Sequence, residues 1–176
     1  YLQIYVNSKK NTMDIINNND SPLLKSLILS DLGKHLNVAQ LNHLSKHLSV
    51  LHFELGNLVA EANTPAHFVG IIVNGEAEVE VESLKRADLA AGDFFGEAMF
   101  SSQALRTADV RATTKMTVAI LTLSAFEVLL NEDLQLAMSC KSFFGARYLN
   151  HQKQDEQESW RDNKRYIALV AHNAMK

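Results

Sequence analysis

Gly96-Glu97 stands nine positions ahead of Arg106, in the stretch Phe94-Phe95-Gly96-Glu97-Ala98-Met99-Phe100-Ser101-Ser102-Gln103-Ala104-Leu105-Arg106-Thr107-Ala108-Asp109-Val110. A guanidinium offers a planar fork of donors to an oxyanion, each charge-assisted bond contributing about 1.5–3 kcal/mol. A carboxylate is an acceptor for hydroxyl groups, and a glycine lets another group approach the backbone closely. A lone Gly-Glu pair carries no information by itself. Asp109, three positions after Arg106, offers that arginine a purely structural partner.

The runs around this stretch read as short strands. Asn74-Gly75 is a two-residue hairpin signal, because a type I′ turn needs positive φ at both central positions. Residues 76–82 alternate glutamate with alanine or valine, the pattern of a half-buried strand. Gly92-Asp93 and Asn63-Thr64-Pro65 mark further turns, and residues 116–123 form a β-branched run without a breaker. Such spacing predicts a mainly β fold with flanking helices, its sheet closed or rolled and antiparallel.

Helical signals flank the strands. Ser21-Pro22 caps and opens one helix. Asn37-Val38-Ala39-Gln40 opens a second, expected to run through about Leu48. Ser124-Ala125-Phe126-Glu127 reads as a capping box, and Asp133 begins a longer helix. Along that helix Leu134, Ala137, Met138, Phe144 and Tyr148 recur at helical spacing, with Leu136, Cys140 and Phe143 on an adjacent face. So wide an apolar surface is packed core, and it places Cys140 in packing instead of chemistry. His43 and His47 lie one helical turn apart, with His35 upstream. No carboxylate or cysteine stands at a matching third position, so they read as solvated surface histidines and no metal is expected.

The stretch from Phe94 to Val110 resembles the phosphate-binding cassette of cyclic nucleotide-binding domains: Phe-Gly-Glu, a short variable stretch, then Arg, a small residue, Ala, Ser or Thr, and Val. The turn glycines Gly56, Gly70, Gly75 and Gly92 follow that family's order. The resemblance implies an antiparallel, jelly-roll-like β-roll over residues 21–150, with N-terminal helices and a long C-terminal helix. It implies a ligand, cAMP or cGMP, held by Gly96, Glu97, Ala98, Met99, Arg106, Thr107 and Ala108. Arg106 would meet the phosphate, and Glu97 the ribose 2′-hydroxyl. The amides of Glu97, Ala98 and Met99 would open a short turn facing the anion. In this family the C-terminal helix acts as a lid over the base or as a dimer contact, so apolar area beyond one stripe is expected there, and a homo-oligomer is one partner that the resemblance allows. Asp109 replaces the usual Ser or Thr, Leu105 a common Pro, and Met99 a smaller residue. A carboxylate near a phosphate is repulsive unless Arg106 or Arg111 screens it. Thr107 resembles members that accept guanine. Two further readings are a degenerate domain serving as an oligomerisation or docking module, and a transcription regulator of the catabolite-activator type. The latter needs a basic helix-turn-helix after the long helix.

Residues 1–20 are polar and read as an extension; residues 151–164 are almost wholly polar and read as a helix extension or linker. Residues 165–176 then break to an apolar run, expected as the first strand of an α/β domain. Ile167-Ala168-Leu169-Val170-Ala171-His172-Asn173-Ala174-Met175-Lys176 resembles the opening of methylglyoxal synthase. His172 and Lys176 fall on that family's histidine and phosphate-contacting lysine, while Asn173 replaces its aspartate. The resemblance implies a fused enzyme that eliminates phosphate from dihydroxyacetone phosphate. Its catalytic aspartates and Gly-Thr-Thr-Gly loop lie outside these 176 residues, so this chain alone is not expected to catalyse.

The formal net charge of −3 and a pI near 6.2 argue against broad nucleic-acid or membrane-surface binding. A single cysteine cannot form an internal disulfide, so a reducing cytoplasm is the expectation. No apolar run approaches the roughly 18–20 residues that span a bilayer, and no signal peptide is visible. A first residue other than Met suggests a processed, trimmed or chosen start.

Overall fold

The computed structural model describes residues 21–101 and 105–174, with side chains to residue 154. Three helical pieces come first. Helix α1 (Pro22–Leu29) is capped by Ser21, whose hydroxyl accepts from the Leu24 amide, with Pro22 opening the first turn. A 3-10 turn (Asp31–Lys34) leads to α2 (Val38–Ser45), which carries both halves of the capping box between Asn37 and Gln40. That helix stops at Ser45, short of the expected Leu48, because the chain must extend into the first strand at Ser49.

Two four-stranded antiparallel sheets follow. The first orders β1 (Ser49–Phe53), β8 (Met116–Thr122), β3 (Phe68–Asn74) and β6 (Phe94–Phe95) side by side. The second orders β2 (Leu58–Ala60), β7 (Asp109–Ala112), β4 (Ala77–Val81) and β5 (Leu84–Leu89). This is the expected mainly β roll. Between β6 and β7 the chain makes a second 3-10 turn (Glu97–Phe100). Helices α3 (Leu123–Glu132) and α4 (Leu134–Ala174) close the chain.

The sheets enclose one apolar cluster containing Ile72, Phe95, Val110, Met116 and Val118. A second cluster joins the helices to the roll: Leu27, Leu32, Leu41 and Leu44 meet Phe94, Leu121, Leu129, Leu136, Cys140 and Phe144. Each large side chain buried there is worth about 1.5–3 kcal/mol. That cluster anchors the first third of α4 against the roll through Leu136, Ala137, Cys140 and Phe144, whereas Leu134 and Met138 of the expected apolar face are exposed.

Several local expectations differ from the structure. Asn74-Gly75 does not join two paired strands: β3 lies in one sheet and β4 in the other. Only Gly75 has positive φ there, and the turn is fixed against the β7–β8 connection, where the Glu76 amide donates to Thr114 Oγ1. The two-residue hairpin sits instead at Glu82-Ser83, both at positive φ, between β4 and β5. Helix α3 is capped by Thr122, which accepts from the Ala125 amide, so Ser124 falls inside the helix.

The largest difference is at the end of the chain. Residues 165–174, expected as a strand, continue α4 to Ala174. A strand leaves its amides and carbonyls unpaired without a neighbour, whereas a helix satisfies them within itself. Residues 151–164, read as a helix extension or linker, lie within the same helix. The expected extension 1–20 and residues 175–176 lie outside the described residues.

Candidate functional site

Gly96 leaves β6 in the left-handed region, φ 86°, and so begins the 3-10 turn Glu97–Phe100. A Cβ at Gly96 would lie 2.6 Å from Arg106 Nη1 and 2.7 Å from the Phe68 carbonyl oxygen. The missing side chain is what lets the guanidinium reach this spot. Arg106 is held from both sides of its backbone: its amide donates to the Thr64 carbonyl, and its carbonyl accepts from the Asn63 amide. Its Nη2 donates to the Phe68 carbonyl across 3.2 Å, and the guanidinium stacks 4.1 Å from the Phe68 ring centre.

This cation is buried, with 6% of its surface exposed. Among the described residues no carboxylate lies within ion-pair distance of it; the structural partner Asp109 is occupied elsewhere. Asp109 Oδ1 accepts from the Ala62 amide at 2.6 Å, tying β7 to the loop after β2. Burial pulls the Arg106 pKa below the ordinary arginine value, because desolvation penalises the charged form. A buried, uncompensated cation is costly in a folded protein.

Arg106 lines a cavity of about 930 Å³, together with Gly96, Glu97, Ala98, Thr107 and Ala108. Six of the seven expected ligand-binding residues are thus brought together. Met99 is the departure. Its side chain is buried in the cluster shared by the helices and the roll, and its amide donates to the Gly96 carbonyl. A 3-10 turn bonds from its third amide onward, leaving the Glu97 and Ala98 amides at its open end.

Val79, Val81, Leu89 and Val110 supply an apolar wall. Helix α4 closes the other side with Arg147, Tyr148, His151 and Gln152, the last donating to Tyr148 Oη at 2.7 Å. Glu97 is buried, and its Oε1 accepts from Arg147 Nε at 3.1 Å. Arg147 also reaches Asp31 at 3.4 Å and lies against the Phe94 and Phe143 rings. Three arginines, Arg86, Arg106 and Arg147, line the cavity against the single carboxylate Glu97. In a chain of net negative charge, this cavity has the electrostatics of an anion site. Its volume and mixed lining are those of a small-molecule pocket.

The sequence reading assigned α4 a lid role without naming its residues. The signal was present: Arg147 and His151, like Tyr148 and Gln152, repeat at one-turn spacing and so share a face. Arg86, on β5, carried no such mark.

His43 and His47 are not solvated surface residues. Their side chains are 33% and 12% exposed and lie against Glu132, with Asp133 beside His43. Those carboxylates are remote in sequence, which local spacing could not anticipate. Cys140 is fully buried, as expected, and burial pushes its thiol up to about 12. Among the described residues no helix is long and apolar enough to cross a membrane.

Residues 50–133 match the family model described as "Cyclic nucleotide-binding domain". Among curated proteins none matches the sequence. Solved structures share the fold. A cyclic nucleotide-binding domain from Methylobacillus flagellatus KT is 16% identical, with a TM-score of 0.62 over 76% of this chain and 78% of that one. The N-terminal domain of a transcriptional regulator from Streptomyces coelicolor A3(2) is 18% identical, with a TM-score of 0.62 over 74% and 94%. PKAR CBD2 bound to Sp-2Cl-cAMPS is 16% identical, with a TM-score of 0.63 over 73% and 83%. The β-roll is thus the fold that this chain shares with those structures, and residues 50–133 within it carry the similarity to the cyclic nucleotide-binding family model.

Proposed function

We propose that the cavity binds one cyclic nucleotide, cAMP or cGMP, and that the domain is regulatory. The observation that carries this reading is Arg106: a buried cation facing a cavity, with no carboxylate partner among the described residues. A cyclic phosphate supplies the missing charge. The Glu97 and Ala98 amides add donors to the same oxygens, and Gly96 keeps the approach open. Glu97 keeps Oε2 for the ribose 2′-hydroxyl while Oε1 holds Arg147. The apolar wall and Tyr148 suit the flat face of a base. Thr107, beside the arginine, supports acceptance of guanine. Asp109 is committed to the Ala62 amide, which supports binding despite its charge.

Regulation requires that the nucleotide bind one arrangement of α4 more tightly than another. The Arg147–Glu97 contact ties α4 to the turn that would meet the ligand. A methylglyoxal synthase domain after Lys176 is the candidate output on the short sequence resemblance at residues 167–176 alone, since the structure continues α4 there in place of the expected strand; the codons that follow test it through the presence or absence of a Gly-Thr-Thr-Gly loop. The binding reading itself is tested by calorimetric titration with cAMP, cGMP and their 2′-deoxy analogues. Saturable binding at one ligand per chain, weaker for the deoxy forms, is expected. Absence of binding by both nucleotides rejects it.

A further inference from the structure

We propose that His43, His47 and Glu132 bind one divalent transition-metal ion of the zinc class, with Asp133 orienting His43. His43 projects from the last turn of α2 and His47 from the turn just after it, and Glu132, at the end of α3, lies beside both. Glu132 Oε2 lies 3.2 Å from His47 Nε2 and 3.6 Å from His43 Nε2. All three ligand atoms fall within 4.8 Å of one another, the one such trio among the described residues.

These separations fit a coordination sphere. Zinc–nitrogen and zinc–oxygen bonds near 2.0–2.1 Å in a tetrahedron put neighbouring donors about 3.3 Å apart. The two measured edges straddle that value, so binding needs only small side-chain adjustments. Two imidazoles and one carboxylate are the donors that divalent zinc, cobalt and nickel accept, leaving the fourth position to water.

The surroundings supply an orienting partner. His43 Nδ1 lies 3.5 Å from Asp133 Oδ2, and a small ring rotation would let the imidazole donate there while Nε2 faces the ion. Asp133 Oδ1 meanwhile accepts from the Leu136 amide at 2.9 Å, capping α4. A bound ion would therefore fasten α2 to the α3–α4 junction and stiffen the start of the lid helix. The competing account is simple pairing of histidines with carboxylates, which needs no ion.

The test uses the tag-free chain, stripped with a chelator and titrated with zinc by calorimetry and with cobalt by visible absorption. One equivalent of zinc, a tetrahedral cobalt spectrum and a raised thermal midpoint with zinc are expected. Glu132→Gln, at a half-exposed position that does not threaten folding, should weaken zinc at least about tenfold, as should His47→Ala. Asp133→Asn keeps a capping side chain but should still lose about 10–100-fold. His52→Ala should leave the affinity unchanged. No saturable zinc uptake by the stripped chain overturns the proposal, and so does uptake that survives Glu132→Gln unchanged.

Discussion

Arg147 on α4 and Glu97 on the turn after β6 are joined by a 3.1 Å ion pair across 50 positions of sequence. It is a direct polar link between α4 and the 3-10 turn that lines the cavity. Glu97 is almost completely buried, and Arg147 only about a quarter exposed. Removing the arginine leaves a buried carboxylate with neither charge nor donor. Arg147→Ala should cost about 1–3 kcal/mol of stability, less than the roughly 3–5 kcal/mol of a fully buried pair. Urea unfolding of both chains measures it. A change below about 0.5 kcal/mol would show that the contact does not couple helix and cassette.

Gly96→Ala should damage both fold and pocket. The backbone there is at φ 86°, which costs an L-residue about 1–2 kcal/mol. The added Cβ would also meet Arg106 Nη1 at 2.6 Å and a backbone oxygen at 2.7 Å, and the latter has little freedom to move. We expect a loss of at least about 2 kcal/mol and displacement of the guanidinium. Thermal unfolding combined with nucleotide titration reads both; unchanged stability and affinity would contradict the geometry.

Cys140 gives a pH-dependent prediction. Its thiol is raised to about 12 in the fold, mainly by burial and next by the Asp133 charge. An unfolded thiol ionises near 8.5. Between those values the unfolded chain releases a proton that the folded chain keeps. The thiol's share of stability is therefore complete below about pH 8.5 and declines as pH rises above it. Cys140→Ala should show a flatter stability profile between pH 8.5 and pH 10. Iodoacetamide at pH 8 should modify the native chain at least about a hundredfold more slowly than the urea-unfolded chain; equal rates would place the thiol outside the core.

The parts legible in the sequence were those encoded locally. The caps at Ser21 and Asn37, the turn at Gly92-Asp93, the alternating strand through Val79 and the Gly96-Glu97…Arg106 spacing each act within about a dozen residues. What was not legible depends on chain crossings. Asn74-Gly75 looks like a hairpin until the strands on either side are assigned to different sheets, whereas Glu82-Ser83 turns without the usual glycine because its strands already pair. Asp109 is a liability beside a phosphate until the Ala62 amide claims it. Glu132 approaches His43 and His47 only through tertiary packing. Residues 165–174 have the composition of a buried strand, yet without strand neighbours their backbone closes on itself as helix.

The central claim is that Arg106 is buried to meet the phosphate of a cyclic nucleotide. Calorimetric titration of cAMP and cGMP into the native chain and into Arg106→Ala tests it most directly, with circular dichroism confirming that both are folded. The account predicts saturable binding to the native chain, weakened at least about tenfold in the variant by loss of the charge-assisted bonds. Equal affinity of the two folded proteins would contradict it.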